Sequence, residues 1–177
     1  MLRLDADHVL RLVQPGDGAA LARAYTANRD HLAAWEPVRS DEFYTAAWQE
    51  QHVDQCLADA DSGRGYRFVI LSGDGEIRGR MNLNNVVRGA FRSADVGYWV
   101  DASRLRRGLG GHGVSALVRF AERDLALHRL QAATLLDNTA SQHVLTRAGF
   151  SVIGMAPQYL HIAGEWRDHR LFQRILP

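Results

Sequence analysis

The sequence predicts one mixed α/β domain: a mostly antiparallel central sheet with helices on both faces. Three observations predict it. Residues 66–100 fall into three strand-like runs separated by glycine turns, the pattern of an antiparallel meander. From Leu109 the spacing becomes helical, and strand and helix then alternate, which calls for a parallel crossover. The chain ends in two strand-like runs around Gly164, a closing hairpin. A length of 177 residues suits one domain with a proper core and is short for two, so 1–177 is read as a single unit.

Each element has a local reason. Residues 9–13 read as a strand ended by Pro15-Gly16-Asp17-Gly18. Residues 19–35 carry helical spacing, as two short helices. Residues 45–60 form an amphipathic helix with Trp48, His52, Gln55 and Asp59 at three- and four-residue steps, ended by Gly63 and Gly65. The meander follows as 66–71, the turn Gly73-Asp74-Gly75, 77–87, the turn Arg88-Gly89-Ala90, and 93–100. A helix over 109–124, a strand over 130–136 and a helix over 139–148 stopped by Gly149 make the crossover part. Strands over 152–161 and 166–175 complete the sheet.

Composition excludes several classes. Apolar residues at 46% and charged residues at 23% are ordinary for a globular chain. A net charge of +1 argues against an indiscriminate nucleic-acid or membrane binder. No apolar run is long enough to span a bilayer, and the N-terminus lacks a signal-peptide layout. The single cysteine, Cys56, rules out an internal disulfide and fits a reducing cytoplasm. All 21 basic residues are arginines, so no lysine is available for Schiff-base chemistry. Neither His-Glu-x-x-His nor cysteine pairs occur, and no metal site is expected.

The strongest local signal is Arg104-Leu105-Arg106-Arg107-Gly108-Leu109-Gly110-Gly111-His112-Gly113, between a strand and a helix. Its glycines let backbone approach a ligand, and N–H groups at the helix start point outward, an arrangement that binds pyrophosphate. The competing reading is a plain glycine turn with solvated arginines. Gly108, Gly110 and Gly113 also match the dinucleotide fingerprint G-x-G-x-x-G. Against that stand the gap between Val100 and Gly108, the late position after a meander, and the absence of chain for a doubly wound sheet.

Four motifs occur in order: Gly97-Tyr98-Trp99-Val100, Arg106-Arg107-Gly108-Leu109-Gly110, Asp137-Asn138-Thr139-Ala140-Ser141 and Ala148-Gly149-Phe150. Together they resemble the GNAT acetyltransferase superfamily. The segments Asn85-Val86-Val87-Arg88-Gly89-Ala90-Phe91, His31-Leu32-x-x-Trp35-x-Pro37 and 159–169 resemble its branch that acetylates ribosomal-protein N-termini. One slot departs from the family's Gln/Arg-x-x-Gly-x-Gly/Ala loop: Leu105 stands where a polar residue is usual.

The resemblance implies a sheet splayed at its middle, with the central strands parting after about Val100, and acetyl-CoA as co-substrate. An amine acceptor, a ribosomal protein N-terminus in that branch, would attack the thioester directly. Arg106, Arg107, Gly108, Leu109, Gly110 and Gly111 would hold the pyrophosphate, and Asn138 would reach the pantetheine. Backbone at Trp99 and Val100 would pair with the pantetheine amides and supply an oxyanion donor. Ser141 would assist the leaving thiolate, and Asp95 is the candidate base, with Glu36 and Glu42 behind it. Trp35, Asn84 and Tyr159 fall on the acceptor side, as do Phe43, Tyr44 and Trp48 unless they are core. The acidic residues Asp41, Glu42, Glu50, Asp54, Asp59 and Asp61 would favour a cationic acceptor. Two other functions share the same loop: acetylation of a small amine such as an antibiotic or polyamine, and an acyl-CoA-binding regulatory module. The expected protein is cytoplasmic, a monomer or homodimer, with no nucleic-acid or membrane partner.

Overall fold

Apolar alternation and glycine turns place the meander as expected in a computed structural model that describes residues 1–177. The strands are β1 (Leu2–Arg3), β2 (His8–Leu12), β3 (Tyr66–Ser72), β4 (Ile77–Val87), β5 (Ser93–Val100), β6 (Arg129–Leu135), β7 (Ser151–Ile162) and β8 (Glu165–Ile175). They form one sheet in the order β1-β2-β3-β4-β5-β6-β8-β7. All neighbours are antiparallel except β5 and β6. That mixed order rules out the doubly wound dinucleotide fold. The helices are α1 (Gly18–Ala27), α2 (Arg29–Leu32), α3 (Ala46–Asp61), α4 (Leu109–Arg123) and α5 (Thr139–Arg147). The short β1 and two one-turn 3₁₀ helices, Asp41–Tyr44 and Ala102–Arg104, carry no periodic signal and were not expected.

Caps set the helix starts. Thr45 accepts the Trp48 N–H at 3.3 Å, and Asn138 accepts the Ser141 N–H at 3.0 Å. Gly108 starts α4 with φ +79°, a left-handed conformation that an L side chain resists. The closing turn has positive φ at Ala163 (+52°) and Gly164 (+86°), as a two-residue hairpin requires.

Two bulges shape the sheet. Ile70 pairs with Gly79 and Leu71 with Ile77, so β4 carries an extra residue there. This sends Ile77 to one face and Met81 and Leu83 to the other. A second extra residue lies between Asn84 and Val87, where Asn85 adopts φ +49°. Leu10, Phe68, Ile70, Met81, Leu83 and Val96 pack under α4 and α5. Val13, Val69, Ile77 and Trp99 pack under α1 and α3.

The crossover splits the sheet earlier than expected. β5 and β6 pair only over Ser93↔Arg129, Ala94↔Leu130 and Asp95↔Gln131. The strands part after Asp95, not after Val100, and Val96 to Val100 form one wall of an open gap. The far half of the sheet, β6, β8 and β7, is tied back across that gap by a backbone hydrogen bond. The Ala163 N–H in the β7–β8 turn donates to the Glu36 carbonyl at 3.0 Å, in the loop after α2.

Candidate active site

The gap in the sheet and the start of α4 meet at the same end of β5. The first α4 amide with an intrachain acceptor is His112, which donates to the Gly108 carbonyl at 3.0 Å. The N–H groups of residues 106–111 have no acceptor within the chain. Six free donors with the positive end of a 15-residue helix make an anion cradle. A Cβ on Gly111 would meet nothing within 4 Å, so the chain itself makes no demand for glycine there. A Cβ on Gly110 would touch Val100 and Val144 at 3.7 Å, ordinary contact. Gly113 differs: its Cβ would overlap Met81, so this glycine serves packing. The residues present fit a pyrophosphate, and exposed Leu105 lies outside the donor set.

Hydrogen-bond parity identifies the backbone that faces the gap. The Asp101 N–H donates to the Arg78 carbonyl at 2.9 Å, so residues 97, 99 and 101 turn their backbone groups toward β4. The Arg92 carbonyl accepts from His128 and Arg129 at 2.8 and 3.1 Å, so even-numbered residues turn toward β6. Beyond the split, Val96, Tyr98 and Val100 present unpaired groups to the gap. Val100 therefore lies on that free edge. Trp99 is a correction: its backbone belongs to the β4 ladder. Its side chain is buried against Tyr25, with ring centroids 5.0 Å apart.

Tyr98 is the residue that the sequence reading missed as a site residue. Its hydroxyl lies 2.8 Å from Ser141 Oγ and also donates to the Ser141 carbonyl at 3.3 Å. Burial pushes its pKa up to about 12, against the pull of Ser141. Tyr98 therefore stays protonated and keeps Ser141 in a hydroxyl pair on the α5 side of the gap. Its signal was its place in a strand: one residue before Trp99, it must face the opposite side. Asn138 spends its side-chain oxygen on the α5 cap, and its amide nitrogen makes no hydrogen bond within the chain.

The other side of the gap is polar. Arg80, Asn82 and Asn84 alternate along β4 on the α1/α3 face, opposite Trp99, Gly97 and Asp95. Asp95 Oδ2 accepts from Asn85 Nδ2 at 2.8 Å. Asp95 thus lies on the face opposite Tyr98 and Ser141. Arg80 is buried with no carboxylate partner; its Nη1 reaches the Tyr25 hydroxyl at 3.3 Å and its Nη2 the Cys56 sulfur at 3.7 Å. Arg80 Nε and Asn82 Oδ1 are buried without partners. Burial pulls the His52 pKa down to about 4, with Arg80, Arg67 and Arg39 adding to the effect. Burial also raises Glu36 above the usual carboxylate range, against Arg39 and Arg80.

Several acceptor-side expectations change. Phe43 is core, packed on Tyr25 at 4.7 Å. Glu50 accepts the N–H groups of Gly16 and Gly18 at 2.6 and 2.7 Å, holding the start of α1. Asp59 pairs with Arg64, and Asp41 with Arg29. Those three carboxylates are engaged within the chain, which takes away half of the proposed acidic lure. Trp35 and Tyr159 are partly exposed, Tyr159 on β7 with its ring 5.6 Å from that of His169. No cluster of three or more metal-ligating side chains occurs, and no helix is long and apolar enough to cross a membrane.

Known proteins match this geometry. The family model described as an acetyltransferase (GNAT) domain matches residues 8–151. The [ribosomal protein uS5]-alanine N-acetyltransferase of Escherichia coli is 36% identical over 173 residues, covering 96% of this chain and 89% of that one. The crystal structure of ribosomal-protein-S5-alanine acetyltransferase from Vibrio fischeri superposes with TM-score 0.92 at 30% identity, covering 97% of each chain. Mycobacterium smegmatis RimJ in complex with CoA-disulfide superposes with TM-score 0.90 at 34% identity, over 95% of this chain and 81% of that one.

Proposed function

This chain belongs to the GNAT family and is an acetyl-CoA-dependent N-acetyltransferase, and from that premise we propose that its acceptor is a protein N-terminal α-amine, that of a ribosomal protein. The observation that carries this reading is the extent of the likeness to the S5-alanine enzymes. It runs through the early helices and the closing hairpin that border the acceptor side as well as the acetyl-CoA loop. Chemistry supports it. An α-amine of pKa about 7.7–8.0 needs only about 1 kcal/mol to deprotonate at pH 7, against about 4.6 kcal/mol for a lysine. A site without a strongly basic group can manage the first.

Residues 106–111 donate to the pyrophosphate, and Asn138 Nδ2 with the Val100 backbone holds the pantetheine in the gap. Tyr98 and Ser141 support the departing sulfur. Trp35, Asn84 and Tyr159 border the acceptor, with Asp95 beneath it. The setting is the cytoplasm, where acetyl-CoA and ribosomal proteins are made.

A free-thiol assay against a panel tests the acceptor class. A peptide with a free N-terminal alanine should release CoA fastest, and the same peptide with a blocked N-terminus and an internal lysine should not react. Faster turnover of a polyamine or aminoglycoside would move the reading to small amines. Acetyl-CoA binding without thiol release from any amine would favour a regulatory module.

A further inference from the structure

We propose that Glu36 is the catalytic group that binds the acceptor amine and takes its proton, at the roof of the gap on the face opposite Tyr98 and Ser141. This rests on the N-acetyltransferase reading above.

Place is the first argument. Glu36 lies where the two halves of the split sheet touch, because its carbonyl accepts the Ala163 N–H at 3.0 Å. The α2 loop belongs with β1–β5 and the β7–β8 hairpin with β6, so their contact bridges the gap. A Cβ on Gly164 would meet Val38 at 3.8 Å, a second touch in the same seam. The leaving group has its hydroxyl pair on one side of the gap. An amine that attacks the thioester must come from the other, where Arg80 lies, and the Glu36 carboxylate is within the field of Arg80.

An unused bonding capacity is the second argument. The Glu36 side chain is 22% exposed, yet its nearest cation is Arg39 at 3.7 Å, too far for a hydrogen bond. Beyond that long Arg39 contact, no donor in the chain serves its carboxylate. Half-buried carboxylates normally find several donors, and one held by a single long contact keeps room for a further cationic or N–H partner. Asp95, by contrast, already holds the Asn85 amide.

The surrounding charges are the third argument. Arg39 on the same loop and Arg80 on β4 act on Glu36. From α3, His52 and Cys56 also border Arg80, and Tyr25 reaches it from α1. The hairpin brings backbone and no charge to this contact. Buried Arg80 disfavours a second cation nearby, so an acceptor in this space is pushed toward the neutral amine. Desolvation raises the proton affinity of Glu36 toward that of the amine, which narrows the gap that the proton must cross.

The step balances simply. The acceptor ammonium gives one proton to the Glu36 carboxylate, and the freed nitrogen lone pair forms the C–N bond at the thioester carbon. The C–S bond breaks with its electron pair going to sulfur. The nitrogen loses its second proton as the adduct collapses and the thiolate is protonated on the Tyr98–Ser141 side. Glu36 then releases its proton to solvent, so amide, free thiol and one net proton result.

The test uses the full chain, saturating acetyl-CoA and an alanine-start peptide, with kcat/KM followed from acid to alkaline pH. Wild type should show an acid limb above the usual glutamate range. Glu36→Gln should lose about 10²-fold or more. It should replace the limb by a rise that tracks the free-amine fraction, with acetyl-CoA affinity within twofold by calorimetry. Glu36→Asp should restore the limb at reduced kcat, which a merely structural role would not do. A wild-type rate and limb in folded Glu36→Gln, or a limb that disappears in Asp95→Asn instead, overturns the proposal. If only small amines react, the α-amine reading fails alone; the same variants on that amine still decide the role of Glu36.

Discussion

Under α4 and α5 the sheet buries a cluster of 22 apolar residues; under α1 and α3 the cluster has 11, Cys56 among them, and it borders Arg80, His52 and Gln49. The first face carries the helix start, the Gly-rich loop and the Tyr98–Ser141 pair. The second carries the buried guanidinium, the unpartnered atoms Arg80 Nε, Asn82 Oδ1, Gln49 Oε1 and Trp99 Nε1, and the desolvated Glu36. The contrast follows the chemistry. A cofactor with fixed shape is held by backbone on a close-packed support, where precision comes from packing. An acceptor that must lose a proton needs tuned charge, and charge in a small core is held at some cost in stability. Each face can be tested on its own terms.

The largest effect should come from the packed face. Ser141→Ala should slow the chemical step by about 10²-fold or more, with little change in acetyl-CoA affinity. Tyr98→Phe should act through the same 2.8 Å contact, so the double variant should lose much less than the product of the single losses. Pre-steady-state measurement is needed, because product release can mask the step. A wild-type chemical rate in Ser141→Ala leaves that residue as a helix-start residue only.

Gly111→Val should weaken acetyl-CoA about tenfold, near 1.4 kcal/mol, while the fold holds. The reason is the open space at its Cβ position beside unpaired amides: what forbids a side chain there is the ligand, not the chain. An unchanged Kd by calorimetry would move the pyrophosphate elsewhere.

Much of the packed face was legible in the sequence, and less of the polar one. Residues 77–87 and 93–100 were bounded correctly because glycine turns flank them and β-alternation fills them. The α4 start was legible because a glycine run after a strand has few other uses. The split point was not, since it depends on how far β6 runs beside β5, a tertiary matter. Tyr98 hid inside an apolar run whose alternation, on a sheet covered on both faces, marks no inside or outside. Arg80 was hidden for the same reason: an arginine in Ile77-Arg78-Gly79-Arg80-Met81 looks solvated until α3 is seen to cover it. Among the acidic residues of 41–61 the sequence hid the opposite feature: Asp41, Asp59 and Glu50 meet arginines or amides of their own chain.

The smallest effect in free energy should be Arg80→Met, and it separates stability from function most cleanly. Arg80 cannot deprotonate, has no carboxylate partner and leaves Nε unpaired, so its burial is poorly compensated. A methionine fills similar volume without that desolvation cost. Chemical denaturation at pH 7 should therefore show a change between zero and about 1 kcal/mol of added stability, where most core substitutions destabilise. The nearby pKa values should move in known directions. Arg80 holds Glu36 down and helps hold His52 down, so both should rise in the variant. Wild-type His52, with its folded pKa about 4 against 6.5 unfolded, costs stability as pH falls through that window. The variant should lose less over the same fall. Activity should change the other way: with Glu36 protonated at higher pH, the acid limb of kcat/KM should shift to alkaline values. A variant destabilised by 2 kcal/mol or more would mean that Arg80 is a structural pillar whose partners offset its burial.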